Sequence, residues 1–167
     1  DRIEIKTKKE NVDYRKLIAA GSCFAEGEEV IDYGFVERWI LGLEEKYGVE
    51  VMQVGYDRYN AISTVQKLEA NSMECVEVKQ HSSVLHPPTK LLREAILKKE
   101  FAYDENRLLE INFQNARCTE DTNLNKYVNK KRSAGKVDMV VSTIIAVYLM
   151  QQAMLDNSEL DWGIQVI

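Results

Sequence analysis

The sequence predicts an α/β fold, on three observations. Residues 49–79 read strand, helix, strand, the order of a βαβ unit. Two later stretches, 87–100 and 136–155, carry apolar residues at helical spacing. No internal repeat or linker interrupts the pattern, and 167 residues are enough for one domain that buries a core without disulfide staples.

Taken in order, YRKLIAAG predicts a short helix stopped at Gly21, with a short strand expected near residues 22–25. Asp32 is placed to cap DYGFVERWILGLEEKYG, where Phe35, Val36, Trp39, Ile40 and Leu43 recur at helical spacing and Gly48 supplies the stop. That apolar face is expected to pack on a sheet. VEVMQVGY, residues 49–56, alternates at first and is then apolar on both sides, as a central strand would be; Asp57 closes it. Residues 59–70 return to helical spacing with Ile62, Val65 and Leu68 inward, and residues 73–79 give the second strand.

After the loop QHSSVLH, Pro87 and Pro88 are expected at a helix start, where proline's missing N–H costs nothing. The amphipathic helix PPTKLLREAILKKE follows, its lysines near the C-terminal end that the macrodipole favours. Residues 106–117 predict another helix, 118–135 a polar and basic connection, and 136–155 a long closing helix.

Composition narrows the function classes. Hydrophobic residues make up 45% and charged residues 29%, a globular balance. Cys23, Cys75 and Cys118 are odd in number and widely spaced, so neither a disulfide framework nor a zinc knuckle is indicated, and a reducing, cytoplasmic setting fits. His81 and His86 lack a third clustered ligand for zinc. Ser82 and Ser83 sit in no G-x-S-x-G elbow, and no glycine-rich nucleotide loop occurs. The longest apolar stretch, 137–150, falls short of the roughly 18–20 residues of a membrane span and contains Asp138, Ser142 and Thr143. The charged start DRIEIKTKKE is unlike a signal peptide. A net charge of −5 argues against a generic DNA-coating protein but is compatible with a local basic surface.

Three features carry chemistry. Asp57 follows a strand, at the rim where α/β sheets place ligands; its plain alternative is a turn or capping aspartate. Asp138 interrupts the apolar run KVDMVVSTIIAVYLM, where a buried carboxylate needs an ionic partner or a metal; its plain alternative is a dipole-stabilising acid in a first helical turn. Between them in function stand Lys126, Lys130, Lys131, Arg132 and Lys136, a run without an acid that would attract a phosphate backbone or form a solvated loop.

Read together, VGYDRYNA, VKQHSSVLHPPTKLLREAILKKEF, NFQNAR and NKKRSAGKVDMVVSTIIAV resemble, in order, the blocks of the C-terminal nuclease domain of tailed-phage terminase large subunits. The resemblance runs from about residue 1 to residue 150. It implies an RNase H-like mixed sheet flanked by helices and a metal-dependent endonuclease that cuts concatemeric DNA for packaging with two Mg2+ or Mn2+ ions. Asp57 and Asp138 match the family's metal-binding acids. Lys130, Ser133 and Lys136 match its lysine and serine positions before the last acid, as candidates for contacting phosphate or holding the loop; Asn60 and Asn115 match its asparagines. Lys126, Lys130, Lys131, Arg132, Ser133 and Lys136 form the expected DNA-contacting set. Double-stranded DNA, the terminase small subunit and the portal are the implied partners, in the host cytoplasm.

Arg58 and His81 replace the family's proline and glycine, and neither change removes a ligand. Residues 1–21 contain no counterpart of the family's first metal-binding aspartate, since Asp1 and Asp13 stand in other contexts. The chain is therefore expected to begin inside the nuclease domain, without the ATPase motor, and to bind metal weakly and cut poorly by itself. A resolvase or transposase core, or a non-catalytic module that docks on DNA or portal, are the alternatives.

Overall fold

Local sequence signals divide the chain into short elements. The structure, a computed structural model, describes residues 2–27, 29–59, 61–156 and 165–166. In chain order these are α1 (Arg2–Glu10), α2 (Tyr14–Ala19), α3 (Tyr33–Leu41), α4 (Leu43–Tyr47), β1 (Val54–Tyr56), α5 (Ile62–Ala70), β2 (Cys75–Glu77), α6 (Ser82–Lys98), β3 (Ala102–Tyr103), α7 (Arg107–Asn115), β4 (Cys118–Glu120), β5 (Lys126–Val128), α8 (Asp138–Asp156) and β6 (Gln165–Val166). Two compact units result, one formed by residues 1–25 and 81–167 and the other by residues 26–80.

The second unit contains the βαβ motif. β1 and β2 run parallel, with Val54 opposite Cys75 and Tyr56 opposite Glu77, and α5 crosses between them with Val65 and Leu68 buried. Among the described residues β1 pairs only with β2, so it is not a central strand, and it is shorter than its apolar text. Ile62 faces outward at 58% exposure, not inward.

The helix expected over residues 32–48 is broken at Gly42 into α3 and α4, and Gly48 ends it in the left-handed conformation at φ 66°. The Asp32 side chain makes no capping hydrogen bond and instead accepts from Arg38. The inward residue of α3 is Glu37, while Val36 and Trp39 stay exposed. Thr64 and Lys67 of α5 make this possible: the Lys67 ammonium donates to both Glu37 oxygens, at 2.9 and 3.1 Å, and Thr64 donates at 3.1 Å. A buried carboxylate with three donors is satisfied.

The first unit is built on α6, α7 and α8. No strand forms at residues 22–25; α2 ends at Ala19 with Ala20 as its C-cap, and Gly21, at φ 74°, turns the chain. α6 starts five residues before Pro87, capped by His81, whose Nδ1 accepts from Ser83 N. Pro87 and Pro88 thus lie inside the helix, beyond the turn in which a missing N–H is free. Pro88 compensates by full burial in the row Leu85, Pro88, Leu92 and Ala95. α8 places Val140, Val141, Ile144 and Val147 inward. Its 19 residues and mean hydropathy of 1.4 match a membrane span by length and composition, but those residues make it a core helix against α6 and α7.

The basic connection after α7, expected only as a polar segment, holds an antiparallel hairpin, β4 to β5. Asp121 closes its turn by accepting from Asn123 N, Asn125 N and the Asn125 side chain at 2.8–3.0 Å. α6 holds the hairpin in place: Ser82 Oγ donates to Asp121 at 2.5 Å, and His86 Nδ1 accepts from Lys126 N at 2.8 Å. A third pair, β3 with β6, is parallel.

Candidate functional site

The hairpin delivers the chain at Asn129 into a tight basic loop that ends at the head of α8. Asn129 organises its first half. Its Oδ1 accepts from Lys131 N and Arg132 N at 3.0 and 3.2 Å, and its Nδ2 donates to Thr119 on β4. Ser133 closes the loop, its hydroxyl donating to Asn129 O at 2.8 Å and accepting from Arg117 N at 3.1 Å. Asn115, at the end of α7, braces the second half by donating to Lys136 O at 3.2 Å, and its backbone carbonyl accepts from Ala134 N. The N–H groups of residues 131–134 bond within this frame, and the Lys130, Lys131, Arg132 and Lys136 side chains lie exposed.

Val137 ends the loop almost fully buried, and α8 begins at Asp138. The buried helix terminus needs acceptors for its first N–H groups, and Asn112 of α7 supplies one. Asn112 is 3% exposed; its Oδ1 accepts from Met139 N at 3.2 Å while its Nδ2 donates to Leu108 O at 2.9 Å. Sequence reading missed Asn112. The available signal was an asparagine three residues after the apolar Leu109, on the inward face of α7.

Asp138 is not buried, contrary to the expectation from its apolar neighbours. Val137 and Val140 take the inward directions, which leaves the Asp138 side chain 63% exposed. Lys130 Nζ donates to Asp138 Oδ1 at 3.2 Å. Lys126 is likewise engaged, by Glu120 across the hairpin at 2.9 Å. Among the described residues Lys131, Arg132 and Lys136 have no carboxylate partner.

Asp138 also acts at a distance on Tyr14. Burial first, then a hydrogen bond to Glu10, and then the charges of Glu10, Cys23 and Asp138 hold the Tyr14 hydroxyl protonated far above its ordinary range. The opposite holds at the hairpin tip. Donation from Ser82, then from Asn125, keeps the Asp121 carboxyl well below the usual carboxylate range.

Asp57 belongs to the other unit. It follows β1 directly, at the C-terminal edge of the parallel pair, and is exposed. Its Oδ1 accepts from Tyr59 N at 3.4 Å, the weak local bond of an Asx turn. Asn60 lies outside the described residues.

Exposed aspartate oxygens at element ends are the hard donors that Mg2+ and Mn2+ take, so Asp57 and Asp138 each fit as a single ligand. Among the described residues no three His, Cys, Asp or Glu side chains converge as a metal cage. His81 and His86 are committed to Ser83 and Lys126.

Comparison with known proteins bears on the family and the fold. The family model for the terminase large subunit, endonuclease domain, matches residues 2–154. Among solved structures, the large terminase of bacteriophage HK97 superposes with a TM-score of 0.78 at 19% identity, over 88% of this chain and 31% of that one. The chain thus spans about a third of the HK97 protein's length. No curated protein sequence matches it. The likeness establishes the fold: the α/β, RNase H-like arrangement of small sheets flanked by helices.

Proposed function

We propose that this chain, which belongs to the family of terminase large-subunit endonuclease domains, hydrolyses phosphodiester bonds of concatemeric double-stranded DNA during phage packaging. The observation that carries the reading is the head of α8. There an exposed carboxylate, Asp138, stands beside a loop fixed by the bonds of Asn129, Ser133 and Asn115, with its cationic side chains exposed.

Asp57 and Asp138 would hold divalent metal, Mg2+ or Mn2+. When bound, two such ions supply an activated water and stabilise the leaving 3′ oxygen. The residues of the chain do the rest. Lys131, Arg132 and Lys136 attract the phosphate backbone without reading sequence, with Lys130 and Lys126 adjoining them. Asn129, Ser133 and Asn115 hold those cations in one constellation by fixing the loop backbone. Asn112 fixes the first turn of α8 and with it the direction of Asp138. Holding charged groups in place before the substrate arrives is how such a site lowers a barrier.

The remaining parts of the proposal concern the setting. Terminase small subunit and portal are the expected partners of the longer protein, and the host cytoplasm is where it would act. Supercoiled plasmid incubated with the chain and Mg2+ or Mn2+ tests the proposal. The parent chain is expected to cut weakly, and Asp138→Asn to abolish that cleavage while the circular dichroism spectrum and DNA affinity persist. Cleavage that survives the substitution would exclude Asp138 from the site, whereas a module that only docks would bind DNA equally with and without the substitution and cut it in neither case.

A further inference from the structure

The loop's cations are not equivalent. Lys131, Arg132 and Lys136 have no carboxylate partner among the described residues, and Lys126 is held by Glu120, a residue with no proposed role in the reaction. Lys130 alone of the five is held by the acid proposed to bind metal, at 3.2 Å. Its main chain cannot simply drift away, because Asn129 on one side and Lys131 N on the other belong to the turn fixed by the Asn129 side chain. The ammonium itself is free to swing, being 58% exposed at the end of a four-carbon stem.

A divalent cation and the Lys130 ammonium compete for the same Asp138 oxygen. We propose that Lys130 couples metal binding to DNA binding: it neutralises Asp138 until a divalent ion takes that carboxylate, and the released ammonium then contacts a backbone phosphate. This rests on the reading of Asp138 as a metal ligand. Lys130 is thus a positioning residue whose availability to DNA is conditional, unlike that of its three unpaired neighbours. Linkage makes the effect reciprocal, so that DNA raises metal affinity by the factor by which metal raises DNA affinity. Because the pair is exposed, the factor attributable to Lys130 is small, about two- to five-fold.

The test uses Ca2+ as the divalent probe and a fluorescent DNA duplex, read by anisotropy with Ca2+ and with chelator. Lys130→Met is expected to weaken DNA binding more in Ca2+ than in chelator, the two losses differing by about two- to five-fold. Without DNA, the same variant is expected to bind Ca2+ about two- to five-fold more tightly by calorimetry, since the competitor is gone. Lys130→Arg, which keeps the charge, should behave like the parent chain. An equal loss of DNA affinity in both conditions, or unchanged Ca2+ affinity, overturns the coupling. Asp138→Asn separates the two levels of the argument: unchanged Ca2+ affinity in that variant removes the metal reading itself. Lost Ca2+ affinity there, combined with condition-independent behaviour of Lys130→Met, removes only the coupling.

Discussion

Replacing Asn112 should loosen the whole head of α8. The side chain bridges two helices, donating to Leu108 O at 2.9 Å and accepting from Met139 N at 3.2 Å, and is 3% exposed. Each bond contributes about 0.5–1.5 kcal/mol net, and a helix-terminal N–H left without its partner costs about 1–3 kcal/mol. Loss of an ordinary N-cap, a close analogue, costs about 1 kcal/mol. Asn112→Leu keeps the volume and removes both bonds, so about 2 kcal/mol is expected. In a chain of this size that lowers the melting temperature by about 4–8 °C. Asn112→Ala removes the same bonds and leaves a cavity, so it should cost more. Thermal unfolding followed by circular dichroism measures both. If the two variants stay within about 0.5 kcal/mol of the parent chain, Asn112 does not anchor α8 and the account of Asp138's placement fails.

Other expectations follow from single contacts. A Cβ at Gly135 would come within 2.6 Å of the Asn115 amide nitrogen, so Gly135→Ala should push Asn115 off Lys136 O. Weaker DNA binding in an anisotropy titration, with little change in melting temperature, is the expected sign; unchanged binding would show that the brace is dispensable. Glu37→Ala removes three hydrogen bonds in the other unit. Because Lys67 remains largely hydrated, the cost should be only about 1–2 kcal/mol in a urea melt. Asp121, whose carboxyl titrates below its ordinary 3.8 in the folded chain, contributes stability that is complete above that value. The contribution disappears as pH falls from 3.8 towards the lower folded value, so the stability gap between the parent chain and Asp121→Ala should close over that range and stay constant above it. A gap that persists at the acid end would contradict the hydrogen-bond account.

The parts of the fold legible in the sequence were those set by local chemistry. The crossing from β1 through α5 to β2 could be read because Val65 and Leu68 keep helical spacing between two apolar runs. Gly48 in its left-handed conformation marked a helix end for the same reason. What could not be read depended on partners distant in the chain. β1 stops at three residues because its length is set by pairing with β2, not by its own apolar text. Pro87 and Pro88 enter α6 because burial of Pro88 outweighs two lost helical bonds, a balance invisible to positional rules. Glu37 points inward because Thr64 and Lys67 meet it there.

The candidate site shows the same division. Asp57 and Asp138 stand out as candidates by their positions at element ends, and the basic run by its composition. The exposure of Asp138 does not stand out, because the inward direction of α8 is set by Val137 one residue before it and Val140 two residues after it. The hairpin was also missed. Its strands are short and polar, and it depends on Asp121 turn bonds and on Ser82 and His86 of α6, about forty residues away.

The most direct test of the central claim is the Mn2+ affinity of the chain, measured by the paramagnetic resonance signal of the unbound ion. The account predicts saturable binding that Asp57→Asn and Asp138→Asn each weaken by at least about ten-fold, the usual range for disturbing a metal site. Mn2+ affinity unchanged in both variants would contradict it, whatever cleavage the preparation showed.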